Sequence, residues 1–208
     1  MIQILEHPLL DLRVFEARFA HDLSEYTSPE AWEALLQPGA EGPMATDANV
    51  KLQVRNLLRH GGFKPAGRSK PASEYLLKAA AGGFLSPINP VVDACNVVSL
   101  HSGLPISVVD LDLIRGGLSV QVCPSGVSYV FNASGQEIRL DGLVCLYDEE
   151  GACANAVKDA QRTKTHPETR RVGCLIWGSK ELPGRAQEAA DWYRSLLEEV
   201  GAETVVVC

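Results

Sequence analysis

Apolar positions Val50, Val54, Leu57 and Leu58 recur at helical spacing after Asp47, which predicts an amphipathic helix ended by Gly61 and Gly62. The segment "SKPASEYLLKAAAGG" follows the same grammar, with Ser69 and Pro71 at its start and two glycines at its end. A short helix is expected earlier at "SPEAWEALL", with Ser28 as cap and Pro29 in the first turn. Pro90 opens and Gly103 closes a third full helix, and Pro105 blocks its extension. After it the period changes from helical to alternating. "PISVVDLD", "LSVQVCP", "VSYVFN", "EIRL", "LVCLYD" and "VGCLIWG" read as short strands separated by glycine turns. A last helix places Ala189, Trp192, Tyr193, Leu196, Leu197 and Val200 on one face, and "TVVV" reads as a closing strand. Such switching of period marks a mixed α+β domain.

The helix from Pro90 to Gly103 is apolar almost all round, yet Asp93 and Asn96, three residues apart, share one face. A buried, unpartnered amide or carboxylate costs about 1–3 kcal/mol, so this stripe must meet backbone, water or a ligand. Either Asp93 caps the first turn while Asn96 ties down a loop, or the pair lines a pocket.

Composition narrows the possibilities. A chain of 208 residues with 46% hydrophobic content closes one sizeable core. No apolar run reaches the ~18 residues of a membrane span, and the first residues lack the sections of a secretory signal, so a cytoplasmic location is expected. The six cysteines are spread through apolar segments and read as reduced, buried thiols. No Gly-x-Ser-x-Gly elbow, His-x-x-x-His pair or Cys-x-x-Cys pair occurs, and "GCLIWGSK" lacks the ending of a phosphate-binding loop. No metal or other cofactor is therefore expected. The net charge of −7 is unevenly spread: residues 51–70 carry +6, residues 158–171 carry +3, and the remainder carries −16. Local polyanion binding survives that average.

The stretch "INPVVDACNVVSLHSGLPISVVDLDLIRGGLSVQV" resembles the B3/B4 domain of the phenylalanyl-tRNA synthetase beta subunit. The shared positions are Asn89, Val91, Val92, Asp93, Asn96, Gly103, Pro105 and Asp110, and "LVCLYD" also fits. With "GFKPAGRSKPASEYLL" and "NAVKDAQRTKT" through "WGSKELPGRA", the chain from about residue 50 to its end is similar to free-standing bacterial proteins made of this domain alone. The resemblance implies a three-layer β/β/α unit, here residues 46–208 with a strand and helix segment of residues 1–45 packed on it. It implies an editing hydrolase acting in trans on mischarged tRNA, tyrosine on phenylalanine tRNA being one substrate. The chain departs from the synthetase pattern at Ser107, where many bacterial synthetases carry His, and at "NAVKDAQRTKT", which replaces a Gly-rich turn.

Within "KDAQRTKT", Asp159 is the candidate for orienting a water, and Lys158, Arg162 and Thr163 for holding substrate. Ser69 and Glu74, at a helix start, and Asn96 complete the expected substrate contacts. Arg55, Arg59, Arg68, Lys70 and Lys164 are the expected tRNA contacts. Replacing Arg162 by Ala is expected to leave the fold intact. The alternative from a different class is a non-catalytic binder of an amino acid or similar metabolite in the same pocket.

Overall fold

Local rules set the helices. In the computed structural model, which describes residues 2–208, helix α2 (Ala48–Arg59) starts at Asp47, whose side chain accepts from the Val50 amide at 2.8 Å. Helix α4 (Pro90–Ser102) starts at Asn89, whose side chain accepts from the Val92 amide at 3.0 Å. It ends at Gly103 in the left-handed region (φ 71°), where a side chain would also run into Thr46. The short α1 (Glu30–Leu35), α3 (Ala72–Ala81) and the long α5 (Arg185–Glu199) lie where their patterns predict, but the residue before α1 is Pro29, and Ser28, expected as its cap, gives its hydroxyl to Asp93 instead.

The strands are β1 (Ile2–Ile4), β2 (Leu10–Arg18), β3 (Ile106–Asp110), β4 (Leu118–Val122), β5 (Ser128–Val130), β6 (Glu137–Arg139), β7 (Val144–Asp148), β8 (Gly151–Asn155), β9 (Arg171–Ser179) and β10 (Glu203–Val206). One sheet has the order β1-β4-β7-β8, a second the order β10-β2-β9-β3, and β5 and β6 pair as a hairpin. The first sheet is antiparallel apart from the β1–β4 pair. The longest pairing joins β2 to β9, from Leu10 opposite Ser179 to Arg18 opposite Arg171, so β2 is an interior strand. β8 was not expected: "GACAN" has no β-branched or aromatic residue, and the buried β7 ladder draws it in.

Alternation along β2 sorts the second sheet's two faces. Phe15 packs edge-to-face on Tyr193 of α5, with ring centroids 5.1 Å apart. Val14 turns the other way and, with Val109 and Leu175, faces Leu118 and Leu146 of the first sheet. The Tyr193 hydroxyl donates to the Val91 carbonyl at 2.8 Å, joining α5 to α4. The layers are therefore sheet, sheet and helices, the mixed β/β/α arrangement expected.

Asp93 is satisfied by the Ile88 amide at 2.9 Å and the Ser28 hydroxyl at 2.5 Å, while Asn89 does the capping. His101 packs on Trp192 and meets the Leu35 carbonyl at 2.9 Å, a structural placement. The six cysteines are free thiols, and all except Cys208 are buried. Among the described residues no helix is long and apolar enough to cross a membrane.

Candidate functional site

Strand β3 lies at the edge of its sheet, and the segment after β8 folds back against that edge. Asn155 turns the chain there, its side-chain oxygen accepting from the amides of Val157 at 2.8 Å and Lys158 at 3.0 Å. Thr163 fastens the far end by donating to the Cys153 carbonyl at 3.1 Å. Between them, Asp159 points inward. Its Oδ1 accepts from the Ser107 hydroxyl at 2.7 Å and the Asn155 amide at 3.1 Å. Ser107 is fully buried and in turn accepts from the Trp177 indole N–H at 2.9 Å.

Burial raises the Asp159 carboxyl from 3.8 to about 6, against the opposing pull of Ser107, the amides of Asn155 and Val108, and the Lys164 charge. Between those two values the folded chain binds a proton that the unfolded chain releases. Stability from this group is therefore full below 3.8 and lost as the pH rises through about 6. Asp159→Asn keeps an acceptor for Ser107 and is expected to flatten this slope, which is on the order of 2–3 kcal/mol. Urea unfolding of both proteins between pH 4 and pH 8 measures it; coincident slopes would refute the inward placement of a titrating carboxyl.

Outside this anchor lies a cleft. An open, basic hollow of about 830 Å³ is walled by Arg68, Ser69, Tyr75, Phe131, Arg139 and Lys158. A second pocket of about 320 Å³, lined by Ala72, Leu76, Ala79, Cys95, Asn96 and Ile106, adjoins it through Tyr75 and Lys158, which line both. The Lys158 ammonium sits 4.0 Å above the centre of the Phe131 ring and 5.8 Å from that of Tyr75. Burial lowers its pKa, and the charges of Arg68 and Lys164 lower it further. Lys164 donates to the Phe131 carbonyl at 2.6 Å, and burial lowers its pKa too. The Tyr129 hydroxyl accepts from the Asn155 side chain and donates to the Lys158 carbonyl. The β5–β6 hairpin is thus clipped to the segment that carries both lysines.

Of the residues singled out from the sequence, Asn96, Arg68, Ser69 and Lys158 come together in the cleft, with Lys164 and Asp159 behind them. Others are engaged elsewhere. Arg55 grips Glu74 through two hydrogen bonds of 2.6 and 2.7 Å, tying α2 to α3. Arg59 is exposed and bonds Asn56, and Lys70 is half-buried with its charge close to Glu74. Arg162 makes two hydrogen bonds to Asp148, of 2.8 and 2.6 Å, and one of 3.0 Å to the Gly151 carbonyl, while Thr163 is buried. Neither lines the cleft. The aromatic walls Tyr75 and Phe131 and the buried Ser107–Trp177 pair were not singled out for these places. Tyr75 was legible: it shares a helical stripe with Ala72, Leu76 and Ala79.

Residues 65–176 match the family model of the B3/4 domain, a span that includes all of the cleft's walls and the inward-turned Asp159 with Ser107. Over 108 residues the chain is 36% identical to the phenylalanine–tRNA ligase beta subunit of Bartonella henselae, a match covering 49% of this chain and 13% of that protein. It is 28% identical over 104 residues to the beta subunit of Pectobacterium atrosepticum, covering 48% of this chain and 13% of that one. Only about an eighth of either relative is therefore matched. An N-terminal fragment of the phenylalanyl-tRNA synthetase beta subunit from Pyrococcus horikoshii superposes with a TM-score of 0.48 at 15% identity, over 55% of this chain and 40% of that one.

Proposed function

The chain belongs to the B3/4 domain family, and on that premise we propose that its cleft binds the aminoacyl end of a charged tRNA and releases the amino acid by hydrolysis, acting in trans. The observation that carries this reading is the junction at Lys158 and Tyr75 of a basic, aromatic hollow with a smaller, mostly apolar pocket. A single-stranded RNA end needs cations for its phosphates and rings for its bases, which Arg68, Tyr75 and Phe131 supply, with the exposed Arg139, paired with Asp141 at 2.9 Å, at the rim. The amino-acid side chain then enters the apolar pocket, where the Asn96 amide, which makes no hydrogen bond within the chain among the described residues, meets a polar group on it. That places the ester carbonyl near Lys158, whose ammonium favours the developing oxyanion. An aminoacyl ester is already activated, so a positioned water suffices as nucleophile. Asp159 acts here as a positioning group that holds the Lys158 segment.

That inward turn of Asp159 favours a second reading, in which the pocket retains a free amino acid or similar metabolite without hydrolysis. A panel of correctly and incorrectly charged tRNAs, including tyrosine on phenylalanine tRNA, separates the two at physiological salt. Selective release of one amino acid is expected. If the folded protein releases none and binds a free amino acid in the cleft, the second reading replaces the first.

A further inference from the structure

A separate cavity of about 220 Å³ lies between the two sheets, and none of its walls belongs to the cleft. Val14, Val109 and Leu175 form one side and Ile2, Leu118 and Leu146 the other. At the centre of the second sheet, β9 carries Gly173, paired with Glu16 on one flank and Val109 on the other. Its missing side chain leaves Leu111 to lean across, 3.1 Å from where a Cβ would sit. On the first sheet's side, Gly117 has nothing within 4 Å of its Cβ position. The volume corresponds to about seven waters of the liquid, the size of one amino-acid side chain rather than a lipid tail.

The charged side chains in the lining are Glu16 and Arg171, both partly exposed and 4.0 Å apart. That distance is too long for a hydrogen bond, so each keeps capacity for a ligand. The Arg171 Nη1 is bound to Asp112 at 3.0 Å, while Nη2 is turned towards Glu16. A fatty acid would need only the guanidinium and an amine only the carboxylate. Opposite charges side by side above an apolar hole match a molecule carrying an ammonium and a carboxylate on one carbon. We infer that this cavity binds a free apolar α-amino acid, its side chain between the sheets, its ammonium on Glu16 and its carboxylate on Arg171. The site is independent of the cleft and of the hydrolysis proposed there.

Calorimetric titration of the full chain with leucine, methionine, phenylalanine, glycine and lysine tests this at neutral pH. Binding of the apolar members is expected, weakened about tenfold or more when either the amino or the carboxyl group of the ligand is blocked. Glu16→Gln and Arg171→Gln, each checked for an unchanged melting curve, are expected to weaken it by a similar factor, and Lys158→Ala to leave it unchanged. Three results would overturn the site: no binding by the parent protein, full binding by a folded Glu16→Gln variant, or binding abolished by Lys158→Ala, which moves the ligand into the cleft.

Discussion

Arg162→Ala is expected to destabilise the fold by about 2–3 kcal/mol. The Asp148 side chain is completely buried, and Arg162, 30% exposed, is the cation that pairs with it directly. Removing the guanidinium strands a buried carboxylate with only the amides of Arg115 and Glu150, and it frees the Gly151 carbonyl. The loss falls below that of a fully buried pair because water reaches the arginine. The sequence-based expectation of an unperturbed fold thus gives way to a structural role. Burial alone would raise the Asp148 carboxyl, but the hydrogen bonds and charge of Arg162, with those two amides, hold it below its ordinary value of 3.8. A depressed carboxyl contributes stability above its unfolded value and loses it as the pH falls through the folded one. Urea unfolding at pH 7 reads the loss directly. In a double-mutant cycle with Asp148→Asn, most of the cost of Arg162→Ala should disappear, since no charge is then left buried. Additive losses would show that the pair is not coupled.

Of the three cations that line the cleft, Arg139 is paired with Asp141, and removing the other two should have the largest effect on tRNA. Arg68→Ala and Lys158→Ala are each expected to weaken binding about tenfold and, together, about a hundredfold. The dependence of log affinity on log salt should flatten by about 0.7 for each phosphate that is no longer neutralised. Lys158 rests on an aromatic ring and has no carboxylate partner among the described residues, so its charge is available. Arg55 is the control. It belongs to the same basic island but is already neutralised by Glu74, so Arg55→Ala should change stability and leave tRNA affinity and salt slope unchanged. Filter binding across a salt series resolves the four variants and the parent. Equal effects at Arg55 and Arg68 would mean that the polyanion is drawn to the island of residues 51–70 as a whole rather than to the cleft.

Local chemistry was legible in the sequence. Asp47, Pro90 and Gly103 mark helix boundaries because caps and proline act on amides and carbonyls within one turn, although the cap before Pro90 proved to be Asn89 and not Asp93. Short apolar runs bounded by turn residues located seven of the ten strands, in the second half of the chain or at its close; β3 and β9, covered on both faces, are buried along nearly all of their length and do not alternate. The stretch around Asp93, Asn96 and Asp110 pointed to the family for a related reason, since its polar residues hold fixed places on one helix and the strand after it.

Tertiary structure decided which of the marked residues are free to act. Arg55, Arg59, Arg162 and Lys158 look alike along the chain. Glu74 cancels the first from 19 residues away and Asp148 the third from 14, whereas Lys158 meets Phe131 and Tyr75. The same holds for Asp159, directed inward by a Ser107 that lies 52 residues earlier. β8 became a strand because β7 offered it an edge, despite its own poor propensity. A helix cap is settled within four residues, whereas the freedom of a charge depends on which distant group the folded chain sets within about 4 Å of it.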